Sequence, residues 1–211
     1  MGIFFNFGDR VDNYEYLVIN ERDARASAGI MFLLGMLSLF SVYIFRTLLW
    51  AELFSITFIF EFFVRIVFAP KYAPYMLLGG FIVSNQSPDW VEAKPKQFAW
   101  ILGLILGAIM AYYIIYDIIS LWRIALCVVC LILLFLESTF GICLGCLVYN
   151  ALHIKLHHCP GDVCEIPRQK VLVKHRAWFL LGFLLLFTFT YLGLQSSKYD
   201  DIPNVIILDD R

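Results

Sequence analysis

Long apolar windows that carry almost no charge decide what this chain can fold into. They run over Ser27–Phe45, Leu48–Phe68, Phe98–Tyr116, Ser120–Leu152 and Ala177–Leu194. About 18 or more such residues reach across the ~30 Å hydrocarbon core of a bilayer as a helix. Lipid offers the backbone no hydrogen-bond partners, and a helix supplies its own. The expectation is an all-α fold, a polytopic transmembrane helix bundle of four core spans plus a fifth C-terminal span. Composition agrees. Hydrophobic residues make up 61% and charged ones 16%, against about 25% charged in a soluble domain. The net charge of −1 leaves no basic surface for nucleic acid, so the lipid bilayer is the expected partner.

The windows divide the chain. Residues 1–27 form an amphipathic lead-in with both charge signs. They lack the apolar core and small-residue cleavage site of a signal peptide. Residues 28–152 form the four-helix domain, in which Arg46 and Thr47 separate the first two helices. The second helix holds Glu52, Glu61 and Arg65, and the last two are spaced to pair along one face. Ala69–Trp90 contains Pro70, Pro74 and Pro88. Its apolar run Tyr75–Ser84 is too short to cross, so an interfacial or re-entrant segment is expected between helices two and three. Residues 153–176 form a polar Cys/His loop, 177–194 the fifth helix and 195–211 an acidic tail.

Lys and Arg set the orientation. With five spans, one side collects Arg10, Arg22, Arg25, Lys71, Lys94, Lys96, Lys155, Arg168, Lys170, Lys174 and Arg176. The other side has Arg46, Arg123, Lys198 and Arg211. The positive-inside rule then places the N-terminus and both long loops in the cytoplasm.

All six cysteines fall between Leu121 and Cys164, as the pairs Cys127/Cys130, Cys143/Cys146 and Cys159/Cys164. At 1.5 Å per residue, Cys127 and Cys146 would lie ~28 Å apart on one helix, about a bilayer core. At 100° per residue, however, Cys127, Cys130 and Glu137 fall near ~0°, ~300° and ~280°, while Cys143 and Cys146 fall near ~160° and ~100°. One continuous helix would face the two pairs apart. The apolar run is also too long for one upright span, and Ser138, Thr139 and Gly141 are weak helix formers. A break between Glu137 and Cys143 is therefore expected. It would leave Cys143 at a helix start, where unpaired N–H groups favour a thiolate. Gly145 would let a partner backbone approach closely.

Two kinds of reading compete for these residues. Cysteine packs well as a small hydrophobe, and this serves best for Cys127/Cys130. Cys-x-x-Cys at a helix start points instead to thiol chemistry for Cys143/Cys146, with Cys159/Cys164 as an exchange partner. Cys127/Cys130 would then carry the exchange outward. Glu137 is a membrane carboxylate without a partner on its own helix. It is either a proton donor to a departing thiolate or a partner of Arg65 or Arg123. His153, His157 and His158 stand beside Cys159 and Cys164. This density of ligands could bind zinc tetrahedrally, with Cys143 and Cys146 joining two ligands from the loop. The spacing matches no standard finger, and the cofactor is left open. A transporter of a small sulfur species and a zinc-clasped scaffold remain as alternatives to a redox protein. No dinucleotide, phosphate-loop or nucleophile-elbow signature is present.

Four pieces carry a resemblance: NERDARASAG (20–29), FVRIVFAPKYAPY (63–75), AKPKQFAWILG (93–103) and FLESTFGICLGCLVY (135–149). The chain resembles the bacterial integral membrane family called domain of unknown function 4395. The hallmark is Glu-Ser-x-x-Gly-x-Cys-x-Gly-Cys, here Glu137, Ser138, Gly141, Cys143, Gly145 and Cys146. The family usually carries a further cysteine, which Cys159 or Cys164 would supply. Its members are found near thioredoxin-like and sulfurtransferase proteins. The resemblance thus implies a protein of the bacterial cytoplasmic membrane that handles thiols or sulfur with such a partner. Helix five and the tail lie beyond the pattern.

Overall fold

The computed structural model describes residues 7–9, 16–45, 47–118, 121–152 and 173–200. Two short strands, β1 (Val18–Asn20) and β2 (Trp90–Glu92), pair antiparallel with Val18 opposite Glu92 and Asn20 opposite Trp90. Each strand runs straight into a long helix, α1 (Glu21–Phe45) and α4 (Ala93–Ile115). The ribbon therefore sets two helix starts side by side. The Asn20 side chain accepts the Arg22 N–H at 3.2 Å and the Asp89 N–H at 3.0 Å. It caps α1 and pins the loop before β2 in one stroke.

α1 buries a stripe of small residues, Ala24, Ser27, Ala28, Gly35, Ser38 and Ser41, with Met31 among them. Small side chains let neighbouring backbones close in where lipid gives no hydrophobic drive. Against this stripe lies α3 (Pro74–Ile82), nine residues that do not span. It follows a 3₁₀ turn at Pro70–Tyr72, as the prolines led one to expect. A Cβ on Gly79 would come within 2.7 Å of the Ser27 nitrogen. The start of α3 has no side-chain cap of its own. Glu61 of α2 (Leu49–Val67) supplies one, accepting the N–H groups of Tyr75 at 2.8 Å and Met76 at 3.1 Å. Arg65, one turn on, neutralises that carboxylate at 2.7 Å and lies over the rings of Phe62 and Trp100. The Glu61–Arg65 pair expected from spacing is formed, and it anchors the short helix.

α4 packs on α2, where Phe62 and Phe58 fill the space beside Gly103 and Gly107. α5 (Leu121–Phe135) returns along α4 and is followed by α6 (Leu144–Ala151). α7 (Val173–Asp200) lies outside, with Phe183 against Phe60 and Tyr75. Seven α-helices are thus present among the described residues. Among the described residues, three segments are long and apolar enough to cross a membrane: Glu21–Phe45, Ala93–Ile115 and Leu121–Phe140. Their outward faces carry Leu33, Leu37, Ile105, Ile109, Ile124 and Ile132, as a bilayer environment requires. α2 buries Glu52, Glu61 and Arg65 inside the protein, and among the described residues α7 carries a shorter apolar stretch, Leu180–Gln195.

Two boundaries differ from the hydropathy. α1 begins at Glu21 rather than near Ser27, and α4 at Ala93 rather than near Phe98. The charged first turns are helical too, and apolar windows cannot see them.

Candidate functional site

The starts of α1, α4 and α6 meet around Cys143 and Cys146. α5 runs toward them from the far end of α4, where Cys130 packs on Met110 and Ile114. After Phe135 the helix widens into a single π turn, Leu136–Phe140, a device common at functional sites. Gly141 then takes a left-handed conformation, φ +67°, and helix resumes at Leu144. The break foreseen between Glu137 and Cys143 is formed. A Cβ at Gly141 would run into the Arg25 guanidinium, so Arg25 lies directly against this backbone. A Cβ at Gly145 would come within 2.6 Å of the Ala99 Cβ. The close approach expected at Gly145 is made by the chain's own α4.

A line of charges closes the break. The Lys96 ammonium lies 2.9 Å from Glu137 and 2.9 Å from Glu21. Glu21 also takes the Arg25 Nε at 3.2 Å. Lys96 is buried, and it is held there by carboxylates from two other elements. In the pairing alternative, Glu137 would turn to Arg65 or Arg123. It does not, because Arg65 is taken by Glu61 and Arg123 by Asp117 at 2.8 Å. Lys96 read as an ordinary loop charge, and Glu21 and Arg25 as part of the lead-in. The signals in the sequence were the i,i+4 spacing of Glu21 and Arg25 and the place of all three residues in the 20–29 and 93–103 pieces that carry the resemblance.

Cys143 stands at the N-cap position of α6. Its sulfur accepts the Cys146 N–H at 3.3 Å, and the two Sγ atoms are 2.6 Å apart. Both thiols are free, yet they sit little farther apart than the ~2.04 Å of a disulfide bond. The Cys146 thiol, donating to Cys143, pulls the Cys143 pKa below the ordinary thiol value. The Lys96 charge and the Cys146 N–H add to this, while burial and Glu137 oppose it. Cys146 moves the other way, because its proton is held in that bond and burial disfavours its anion. The pair therefore has a thiolate-prone member and a proton-holding member.

Both thiols open on a cavity of about 590 Å³ that Glu21, Arg25, Glu92 and Lys96 also line. Cys127 and Cys130 line a different cavity, of about 470 Å³, walled mostly by apolar side chains such as Phe54, Met110 and Leu131. The two cavities share no residue. The break does not bring the two pairs together. Cys159, Cys164 and the three loop histidines lie outside the described residues, and with them the loop's share of a zinc site. Among the described residues no cluster of three His, Cys, Asp or Glu side chains is arranged for a metal ion.

No curated protein and no solved structure matches the chain. The family described as a domain of unknown function (DUF4395) matches residues 19–153, a stretch that opens in β1, closes just past α6 and takes in every residue of the thiol cavity, and the chain belongs to that family.

Proposed function

We propose that this protein is a membrane thiol–disulfide redox protein with Cys143 as the attacking thiol and Cys146 as the resolving one. The observation that carries the reading is the pair itself: two sulfurs 2.6 Å apart, the first capped by the N–H of the second. A helix N-terminus and a nearby ammonium are what stabilise a nucleophilic thiolate. The Cys143 thiolate attacks a disulfide sulfur of the substrate, and one substrate thiolate leaves. The Cys146 thiol then gives up its proton and attacks the Cys143 sulfur. The second substrate thiol leaves, and Cys143 and Cys146 are joined as a disulfide. One disulfide is reduced and one dithiol oxidised. In this reading Glu137, ion-paired with Lys96 at 2.9 Å, passes the proton. A thioredoxin-like or sulfurtransferase partner returns the pair to the dithiol form, with Cys159 and Cys164 as an intermediate pair.

The Lys/Arg asymmetry supports a multi-pass arrangement in the bacterial cytoplasmic membrane with the N-terminus inside. The thiol cavity opens at the same end as the starts of α1 and α4, hence toward the cytoplasm.

The test is capture. A Cys146→Ser variant keeps the attacking thiol and lacks the resolving one, so mixed disulfides at Cys143 should accumulate and vanish in Cys143→Ser. Absence of any adduct at Cys143 in native membranes would refute the redox reading.

A further inference from the structure

Besides its two thiols, the cavity in front of Cys143 is lined by one cation with unused hydrogen-bonding capacity, Arg25, and by two carboxylates outside the Lys96 network, the buried Glu92 and the exposed Asp89. Arg25 spends its Nε on Glu21. Among the described residues its two Nη groups make no hydrogen bond, and the side chain is 41% exposed. A guanidinium fork of this kind matches a carboxylate with two parallel hydrogen bonds. Glu92 ends β2 and is only 8% exposed, and its Oε2 has no hydrogen-bond partner among the described residues. A buried carboxylate without a donor is costly, and an ammonium would relieve it. Lys96 is not available to a ligand, because Glu21 and Glu137 already hold it. At about 590 Å³ the cavity falls in the range of small-molecule sites.

We infer that this cavity binds the disulfide of a small α-amino-acid thiol, cystine being the simplest, with its carboxylate on Arg25, its ammonium on Glu92 and its sulfur–sulfur bond before Cys143. The inference rests on the thiol–disulfide reading above and names its substrate class. A purely anionic sulfur compound would satisfy Arg25 but bring like charge toward Glu92. A purely cationic one would do the reverse at Arg25. Only a zwitterion uses both groups. The reaction balances as before. Cys143 bonds to one cystine sulfur and one cysteine leaves. Cys146 then closes on Cys143 and the second cysteine leaves. The two protons lost by the protein thiols appear on the two cysteines.

The experiment uses the reduced full-length protein in detergent or native membranes and follows oxidation of Cys143 and Cys146 by mass spectrometry. Four disulfides are compared at equal concentration. They are cystine, cystamine (ammonium only), dithiodiglycolate (carboxylate only) and hydroxyethyl disulfide (neutral). Rates are divided by those of a free model thiol, which removes intrinsic reactivity. Cystine should lead the neutral compound by at least about tenfold, as loss of charge-assisted hydrogen bonds implies. Arg25→Gln should bring cystine down to the level of cystamine. Glu92→Gln should bring it down to the level of dithiodiglycolate. Arg25→Lys keeps the charge but lacks the fork, so its cystine preference should lie between those of the parent protein and Arg25→Gln, which separates binding from a folding defect. Equal corrected rates for all four disulfides would overturn the substrate inference and leave the redox reading standing. No oxidation by any of them, with Cys143 alkylating like an ordinary thiol, would overturn both.

Discussion

The Lys96 ammonium stands 2.9 Å from Oε1 of Glu137 across forty-one residues of sequence. This contact ties the first turn of α4 to the π turn at the end of α5. It also places a positive and a negative charge on the approach to Cys143, and their effects on that thiol have opposite sign.

The opposition gives the first prediction. Iodoacetamide labelling of Cys143 against pH should show a midpoint below that of a free thiol, ~8.5. Lys96→Gln should move the midpoint up and Glu137→Gln should move it down. If the pair were merely structural, both variants would loosen the site and shift the midpoint the same way. The linkage sign follows. Folding lowers the Cys143 pKa, so its ionisation contributes stability above the unfolded thiol pKa. That contribution is lost as pH falls through the folded value.

Gly141 supplies the second. Its φ of +67° disfavours any side chain by about 1–2 kcal/mol, and a Cβ there would strike Arg25. Gly141→Ala should therefore lower the thermal midpoint in detergent and weaken Cys143 labelling at neutral pH. Gly182→Ala in α7 is the control, since nothing lies within 4 Å of a Cβ there. Equal midpoints for the two variants would contradict the close contact at Gly141.

These two residues also mark what the sequence made legible. The break at Gly141 could be read because its cause is local: Ser138, Thr139 and Gly141 favour helix poorly, and the apolar run is too long. The apolar spans could be read for the same reason, since hydropathy is a property of neighbours along the chain. The partner of Glu137 could not, because Lys96 is remote in sequence and no periodicity links the two. The β1–β2 ribbon was equally hidden. Three-residue strands about seventy residues apart carry no pattern of their own, yet they set the α1 and α4 starts side by side and so build the cavity. Residues taken for lead-in and loop, Glu21, Arg25 and Lys96, therefore turned out to line the site.

The third prediction concerns Cys127 and Cys130. They lie in a separate, mostly apolar cavity, and the expected outcome is that they pack rather than relay. Replacing both with Ala should leave the Cys143 labelling midpoint and the rate of disulfide exchange unchanged, while costing about 1 kcal/mol or less each in stability. A fall in exchange at the inner pair would reveal a connection across the membrane.

The last prediction tests what holds the two reactive sulfurs together. α6 is only eight residues long, too short to be stable alone. It depends on its contact with α4, and that contact is closest where Gly145 meets Ala99. A methyl group at Gly145 would come within 2.6 Å of the Ala99 Cβ and 2.7 Å of its Cα. Rigid backbone cannot yield that much, so α6 must move outward, at a cost of roughly 1–3 kcal/mol. Cys143 and Cys146 flank this contact on the same short helix, so the movement should part their sulfurs. Gly145→Ala should thus slow closure of the Cys143–Cys146 disulfide and raise the Cys143 labelling midpoint, because the hydrogen bond from Cys146 weakens. Ala99→Gly in the same chain removes one of the colliding methyls. The double variant should regain part of both properties, though Ala99→Gly alone is mildly destabilising within α4. The measurement is a double-variant cycle of closure rate and labelling midpoint. Simple additivity of the two substitutions would show that Gly145 and Ala99 do not share this contact, and the account of how α6 is held would fall.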